Sequence, residues 1–269
     1  MTVTGLIDTH SHLQASAFDD DLAERVAEAR RAGVADIVVC AGSRADWAKT
    51  ARVARTLDLS YMLGIHPLYV PKSSEEDLEA LDTALADAID DPHFVGVGEI
   101  GLEGLVMPVD ARQEAFFVGQ LKLARRYDLP VSMHLRKSAS RLLYHLRRHP
   151  VRGVVHAFNG SDAEREAFLK LGLMLGFGGA ATYEGSLRIR RHLAEVPSDR
   201  WVLETDAPDM PSSRRRESGC LRTEPADLIG TVALAARLRG ISPEEAAETS
   251  RHNALEAFPR LMRCVRRVD

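Results

Sequence analysis

The chain has 269 residues, of which 45% are apolar, 28% charged and 6% aromatic, and its formal net charge is −4. This composition excludes wholesale disorder and broad electrostatic binding of duplex DNA, and no apolar run approaches the roughly 20 residues that span a bilayer. Three cysteines without C-x-x-C spacing, and an N-terminus without a signal-peptide pattern, predict a cytoplasmic protein with neither a disulfide framework nor a thiolate zinc site.

Short apolar runs alternate with amphipathic stretches along the whole chain. The runs predict eight strands, at residues 6–9, 35–40, 61–65, 94–98, 131–134, 153–157, 173–178 and 201–203. The stretches between them carry apolar residues at helical spacing and predict helices at 19–31, 45–57, 75–89, 113–127, 139–148, 163–171 and 187–196. Two more helices are predicted at 225–239 and 243–258, the second with Ser242 as its N-cap and Pro243 at its first position.

Eight strands alternating with helices in about 250 residues predict an α/β fold, the (β/α)8 or TIM barrel, formed as one domain over residues 1–269. The rival fold is an open, doubly wound sheet, which normally carries a glycine-rich phosphate loop after its first strand. In this chain the segment 8–12 stands there instead, with the sequence Asp-Thr-His-Ser-His. The barrel is therefore favoured.

The predicted strands end on side chains that bind metal ions. His10 and His12 follow the first strand, His66 the third, Glu99 the fourth, His134 the fifth, His156 the sixth and Asp206 the eighth. In barrel enzymes the carboxyl ends of the strands form the face that carries the active site. A single histidine at such a place is more often a hydrogen-bonded structural residue, and this reading stays open for His66. The joint pattern favours a metal site.

Four imidazoles and two carboxylates exceed what one tetrahedral zinc ion with an open position requires. They fit two divalent ions about 3.5–4 Å apart that share a carboxylate. Glu99 is the expected bridge, because its strand lies between the two histidine groups, and Asp206 is expected to accept the proton of the attacking water. These ligands admit zinc, manganese, iron or magnesium.

Six blocks of the chain, in order, resemble the TatD family of metal-dependent hydrolases, which is amidohydrolase-like. They are IDTHSHL at 7–13, GIHP at 64–67, GEIGL at 98–102, PVSMHLR at 130–136, GVVHAFNG at 153–160 and ETDAP at 204–208. Within the family the chain is most similar to the YjjV-type branch, through residues 120–130 and 203–211. The resemblance extends from about residue 6 to residue 258 and so covers nearly the whole chain.

The resemblance implies a dinuclear divalent centre and phosphodiesterase activity on DNA, usually exonucleolytic. Position by position, it implies one ion held by His10, His12, Glu99 and Asp206, and another held by Glu99, His134 and His156. Asp206 and Glu99 would be the catalytic residues, and His66 would line the substrate side. Arg136, two residues beyond His134, would clamp a phosphate with its planar guanidinium, although a surface salt bridge is nearly as good an interpretation.

The chain departs from the family pattern without losing any of these ligands. Glu103 and Lys137 stand where the family typically has aspartate, and residues 104–108 form an apolar segment in place of a polar one. These departures bear on substrate preference. The expected partner is nucleic acid, as DNA ends or single strands, with no membrane and no obligate protein partner.

Two other functions remain open. The same centre would also polarise a carbonyl, so a carboxyl ester or amide hydrolase, such as a D-aminoacyl-tRNA deacylase, is one alternative. A binding or scaffold protein that keeps the barrel without catalysis is the other. The complete ligand set argues against the second, because loss of catalysis removes the reason to hold four histidines and two acids together.

Overall fold

A computed structural model describes residues 3–261 of the chain. Eight parallel strands lie side by side in chain order within one sheet. They are β1 Leu6–Ser11, β2 Val34–Cys40, β3 Ser60–Leu63, β4 Phe94–Glu103, β5 Val131–Arg136, β6 Gly153–Val155, β7 Met174–Phe177 and β8 Trp201–Leu203. The predicted (β/α)8 barrel is confirmed.

Ten α-helices occur within residues 3–261, and most of them connect consecutive strands. They are α1 Leu22–Arg31, α2 Trp47–Leu57, α3 Glu75–Ala88, α4 Ala111–Arg126, α5 Ala139–Leu146, α6 Asp162–Lys170, α7 Leu187–Glu195, α8 Ser213–Glu217, α9 Leu228–Arg239 and α10 Pro243–Ala257. None of them is long and apolar enough to cross a membrane. The thiols of Cys40 and Cys220 are free, and Cys264 lies outside the described residues.

The helices α8 and α9 differ from the prediction. α8 was missed because its five residues are too few to show a helical period; Ser212 caps it by accepting a hydrogen bond from the backbone N–H of Arg215. α9 begins at Leu228, because the first three residues of the predicted helix, Pro225–Asp227, form a 3-10 turn. At α10 the predicted cap is confirmed, since the Ser242 side chain accepts from the N–H of Glu245.

The neighbouring strands β4 and β5 both run further toward the carboxyl face than predicted. β4 continues to Glu103 instead of stopping before Glu99, and β5 continues to Arg136 instead of ending at His134. The two extensions pair with each other, with Glu103 opposite Arg136 in the parallel register. Backbone groups that would otherwise need water are thereby satisfied. Glu99 and His134 are consequently held inside strands, which fixes their backbones more firmly than a loop would.

The two ends of the sheet meet at a seam between β8 and β1. The backbone N–H of Asp206 donates to the carbonyl oxygen of His10 at 2.9 Å. The carboxylate of Asp8 accepts hydrogen bonds from the backbone N–H of Thr205 at 2.9 Å and from its hydroxyl at 2.5 Å. Burial outweighs these bonds and raises the pKa of Asp8 to about 8. The seam places the first strand's histidines beside Asp206.

An apolar cluster fills the barrel below the carboxyl face. It comprises strand residues Ile7, Val38, Cys40, Met62, Val95, Val154, Met174 and Val202, together with Ala254, Ala257, Phe258 and Leu261 from α10 and the turn after it. The guanidinium of Arg260 donates to the carbonyl oxygen of Phe94 at 2.7 Å and so ties this turn to the start of β4. Because the amino end is filled, polar chemistry is concentrated at the carboxyl end.

A buried carboxylate joins β2 to β3 away from that end. Asp36 accepts hydrogen bonds from the backbone N–H of Ser60 at 3.0 Å, its hydroxyl at 2.6 Å, and the N–H of Ile37 at 2.7 Å. Burial outweighs these bonds and raises the pKa of Asp36 from 3.8 to about 6. As the pH rises from about 4 to about 6, the unfolded chain releases this proton before the folded chain does, so the folded state loses stability in that window.

Asp36→Asn is expected to remove the loss of folding stability that ionisation of Asp36 causes between about pH 4 and pH 6. An asparagine keeps two acceptor bonds and donates to the Ser60 hydroxyl, but carries no charge to bury. A shift of about two pKa units corresponds to about 3 kcal/mol, so the variant's stability relative to wild type is expected to rise by that order between about pH 4 and pH 7. Urea denaturation across this range measures it. Asp87→Asn, at an exposed site on α3, is the control, and equal curves for all three proteins would contradict the assignment.

Candidate metal centre

The structure brings the predicted ligands and His66 together at the carboxyl end of the barrel. A cavity of about 990 Å³ opens there, and its lining includes His12, His66, Glu99, His134, His156 and Asp206. His10 lies next to these residues and is fully buried. Side chains separated by almost 200 positions in the sequence thus share one site.

Glu99 lies between two pairs of histidines. Its Oε2 is 3.3 Å from Nε2 of His10 and 3.2 Å from Nε2 of His12. Its Oε1 is 3.1 Å from Nδ1 of His134 and 2.8 Å from Nε2 of His156. The two carboxylate oxygens therefore face different histidines, Oε2 toward His10 and His12 and Oε1 toward His134 and His156.

Asp206 lies on the side of the first pair. Its Oδ1 is 3.7 Å from Nε2 of His10 and 3.5 Å from Nε2 of His12. The backbone of Asp206 is left-handed, with a φ of 59°, and so is that of Ala157, with a φ of 46°. Such conformations are uncommon for residues other than glycine and cluster at functional sites. The strained positions coincide with the ends of β8 and β6.

His10 and His12 each have a hydrogen-bond partner at Nδ1. Nδ1 of His10 is 2.8 Å from the Ser132 hydroxyl, and Nδ1 of His12 is 2.8 Å from the carbonyl oxygen of Cys40. A carbonyl oxygen only accepts, so His12 carries a proton on Nδ1 and its Nε2 is left to bind an ion.

His134 and His156 are backed by carboxylates. Nε2 of His134 is 3.0 Å from Oε2 of Glu103, within hydrogen-bond distance, whereas Nδ1 of His156 is 3.6 Å from Oε1 of Glu204 and makes no hydrogen bond to it. A hydrogen-bonded outer carboxylate such as Glu103 orients a ligating histidine and fixes its tautomer. Both ring nitrogens of His156 are buried without a hydrogen bond of acceptable geometry within residues 3–261, although Nε2 lies 2.8 Å from Oε1 of Glu99, so a lone pair directed at a cation suits this ring.

His66 presents the opposite hydrogen-bonding character. Its Nδ1 accepts from the backbone N–H of Leu68 at 3.1 Å, so the proton of the neutral ring is on Nε2, which lies 3.4 Å from Oε1 of Glu99. Burial lowers the pKa of His66 and keeps the ring neutral. His66, Glu99 and His134 do place ligand atoms within 4.8 Å of one another. The tautomer nevertheless makes His66 a hydrogen-bond donor into the cavity.

The electrostatics of the centre favour a cation. Burial opposes ionisation of Glu99 and Asp206, but the surrounding imidazoles outweigh it and lower the pKa of both carboxyls. Burial also opposes protonation of His12 and His156, yet neighbouring carboxylates raise the pKa of both rings well above the usual value. A set of imidazoles and ionised carboxylates of this kind is chemically suited to divalent transition metals and magnesium.

The mouth of the cavity has an apolar side and a cationic side. The apolar residues are Leu68, Tyr69, Leu105 and Val106, each 40–71% exposed. The cationic residues are Arg136, Lys137 and Arg188. Arg136 forms no ion pair with any residue from 3 to 261, so the alternative of a surface salt bridge is not what the structure shows. Arg188 donates to the neutral Oδ1 of Asn159 at 2.8 and 3.0 Å and keeps its charge uncompensated.

Several of these residues were not identified from the sequence. Arg188 is the second residue of α7 and Asn159 precedes α6, so the positions of both depend on helix packing, and Tyr69 lies in a 3-10 turn. In the sequence, Glu103 is a departure from the family pattern without a predicted role. Its position four residues after Glu99 nevertheless indicates that both side chains lie on one face of a strand.

A model of the family described as TatD related DNase matches residues 7–259. The chain belongs to the TatD family. The uncharacterized metal-dependent hydrolase YjjV of Escherichia coli strain K12 is 39% identical over 246 residues, which cover 85% of this chain and 94% of YjjV. The 3'-5' ssDNA/RNA exonuclease TatD of Rahnella sp. strain Y9602 is 34% identical over 256 residues, which cover 92% of this chain and 95% of that protein.

The fold agrees with this membership. The crystal structure of YjjV from Escherichia coli K12 matches with a TM-score of 0.86 and 35% identity, over 94% of this chain and 98% of the YjjV chain. The predicted resemblance to the TatD family, and to YjjV within it, is confirmed. As a TatD-family member, the chain is a metal-dependent hydrolase that acts on ester bonds.

Proposed function

We propose that the chain, as one barrel domain, is a divalent-metal-dependent deoxyribonuclease that removes nucleotides from the end of a single strand. The observation that carries the proposal is the placement of Glu99, with one oxygen toward His10 and His12 and the other toward His134 and His156. A two-ion centre of this kind suits in-line displacement at a phosphodiester. The relative named as a 3'-5' ssDNA/RNA exonuclease supports the substrate class.

We propose that the residues divide between two ions, with zinc, magnesium and manganese as the candidates. His10, His12, Asp206 and one oxygen of Glu99 would hold one ion, and His134, His156 and the other oxygen of Glu99 would hold the second. When bound, such ions supply Lewis acidity that polarises the phosphodiester and lowers the pKa of water.

Asp206 is the proposed proton acceptor. The imidazoles around it lower its pKa against burial, so the carboxylate is ionised near neutral pH and ready to take a proton from water. The hydrogen bond from its backbone N–H to His10 holds Asp206 beside β1. Positioning of this sort lowers the entropic cost of reaching the transition state.

Donors on the opposite side of the cavity are proposed to hold the phosphate. His66 presents Nε2–H, which would donate to a phosphate oxygen that does not react. Arg136 lies two residues beyond His134 on β5 and offers a fork of two N–H groups to the same phosphate. Lys137 and Arg188 would contact the next phosphates of the strand.

The apolar side of the mouth favours a single strand over a duplex. Unstacked bases at a single-stranded end stack on aromatic and apolar side chains, whereas duplex bases are already stacked. Tyr69 and the tip formed by Leu105 and Val106 give such a surface on the cavity wall. The cationic residues would follow the backbone while these residues contact the bases.

Tyr69→Ala is expected to raise the KM for a single-stranded oligonucleotide by about 5- to 150-fold, because base stacking on one aromatic side chain is worth about 1–3 kcal/mol. An oligonucleotide with abasic terminal nucleotides is expected to show no such increase. Tyr144→Ala is the matched control, since Tyr144 is 49% exposed, close to the 45% of Tyr69, and lies on α5 outside the cavity lining. Equal KM increases on both substrates would contradict base contact by Tyr69.

The proposed activity is tested against the carboxyl-ester alternative with one protein preparation. An end-labelled single-stranded oligonucleotide and an aminoacyl-tRNA ester are incubated in parallel, before and after chelation and with Mg²⁺ or Mn²⁺ restored. Metal-dependent laddering of the oligonucleotide is expected. Ester hydrolysis without laddering would overturn the nuclease assignment while keeping the metal-dependent hydrolase.

A further inference from the structure

Glu103 connects the candidate metal centre to the turn at the cavity mouth. Its side chain is buried, with Oε2 at 3.0 Å from Nε2 of His134. Its Oε1 accepts hydrogen bonds from the backbone N–H groups of Leu105 at 2.6 Å and Val106 at 3.0 Å. Both oxygens of the Glu103 carboxylate therefore act as hydrogen-bond acceptors, Oε1 toward the two backbone N–H groups and Oε2 toward His134.

Five histidines surround Glu99, and His134 is oriented differently from the rest. The other four turn Nε2 toward Glu99, whereas His134 turns Nδ1 toward it at 3.1 Å; these four are His10, His12, His66 and His156. For Nδ1 to bind an ion, the proton of the ring has to be on Nε2.

We propose that Glu103 is a positioning residue that holds this proton on Nε2 of His134 and thereby makes Nδ1 available as a metal ligand. The inference rests on the metal site proposed above. A carboxylate cannot donate, so the contact between Glu103 and His134 requires the proton on the histidine. The backbone donors of Leu105 and Val106 keep the other oxygen occupied and prevent the carboxylate from turning away.

The backbone around Glu103 is braced to support this contact. The amide side chain of Gln113, which is buried, accepts from the N–H of Glu103 at 3.0 Å and donates to its carbonyl oxygen at 3.2 Å. The next residue is Gly104, where an added Cβ would lie 2.6 Å from the carbonyl oxygen of Lys137. Gln113 thus fixes the end of β4 against α4, and the close approach at Gly104 fixes it against the end of β5.

Glu103→Gln tests whether the side chain at this position acts as a hydrogen-bond acceptor for His134 or only fills space, because glutamine has nearly the same size but carries a donor group. The N–H groups of Leu105 and Val106 need an acceptor, so they select the orientation in which the glutamine oxygen faces them. The glutamine NH₂ group then faces His134 and donates to Nε2. That contact requires a lone pair on Nε2 and moves the ring proton to Nδ1, where it blocks the ion.

The test uses zinc-loaded protein and two measurements, neither of which is activity. Chelator competition gives the affinity for each ion, and long-range ¹H–¹⁵N spectra of the imidazoles, assigned with His134→Asn, show which nitrogen carries the proton. In wild type we expect two bound ions and a proton on Nε2 of His134. In Glu103→Gln we expect one ion to bind about 10- to 100-fold more weakly and the proton to move to Nδ1.

Two further variants separate the proposed role from a loss of packing. Glu103→Asp retains an acceptor, and we expect it to keep the proton on Nε2 and to bind zinc more tightly than Glu103→Gln. Glu114→Gln makes the same change beside another buried imidazole, that of His145 at 3.4 Å, and is expected to bind both ions like wild type.

The outcomes distinguish the two proposals. Wild-type affinity in Glu103→Gln, with the proton still on Nε2, would overturn the role of Glu103 and leave the metal site standing. Equal losses in Glu103→Gln and Glu103→Asp would overturn it as well. Wild-type protein that binds no ion would overturn the metal site itself.

Discussion

Asp206→Asn is expected to lower the hydrolysis of a single-stranded oligonucleotide by about 10³-fold or more while the chain stays folded. An amide cannot take the proton of the attacking water, and it binds a cation less strongly than a carboxylate does. Asparagine also tolerates the left-handed backbone of this position, where φ is 59°, and it keeps the N–H that donates to His10. The fold is therefore preserved while the proposed base is removed.

The measurement is the rate of label release from an end-labelled oligonucleotide at saturating Mn²⁺, with thermal denaturation to confirm folding. Asp209→Asn is the matched control, because Asp209 also lines the cavity and lies three residues further along the same connection. Burial and the charge of Asp206 raise the pKa of Asp209, so it is the less ionised of the two and is expected to tolerate the change. Near-wild-type turnover by Asp206→Asn would contradict the proposal that Asp206 accepts the proton of the attacking water.

Glu99→Gln is expected to have the second largest effect, because it changes the side chain shared by both ions. The variant replaces one carboxylate oxygen with an NH₂ group that faces either His10 and His12 or His134 and His156. Either orientation places donor hydrogens where an ion would lie. Bound metal is expected to fall from two ions per chain to one or none, and hydrolysis to background.

The stability of the protein provides a second readout for Glu99. A ligand at 100 times its Kd stabilises the folded state by about 2.7 kcal/mol per site, so Mn²⁺ is expected to raise the Tm of wild type markedly. The Tm of Glu99→Gln is expected to respond weakly or not at all. Glu114→Gln, which lies outside the centre, is expected to behave like wild type. An increase in Tm with Mn²⁺ that is as large in Glu99→Gln as in wild type would contradict the proposal that Glu99 contacts both ions.

The arrangement of the barrel and its candidate ligands was predictable because both depend on short-range patterns. Apolar runs of four to eight residues mark buried strands, and in a barrel the residue after each run lies at the carboxyl face whatever the loops do. The placement of Glu99 and Asp206 within 4 Å of His10 follows from this rule alone.

The features that escaped prediction depend on contacts between distant parts of the chain. The extension of β4 to Glu103 arises from pairing with β5, and its sequence, with glycines and a charged end, has no strand period of its own. The cationic side of the mouth includes Arg188, which reaches the cavity through the packing of α7. Hydrogen-bond direction, which makes His66 a donor, is likewise set by a local turn and not by residue type.

The most direct test of the account is anomalous diffraction from crystals of the wild-type protein grown with Mn²⁺. The account predicts two anomalous peaks about 3.5–4 Å apart, with Glu99 contacting both. One peak is expected beside His10, His12 and Asp206, and the other beside His134 and His156. A single peak, or two peaks of which only one lies within bonding distance of Glu99, would contradict the dinuclear centre and the mechanism built on it.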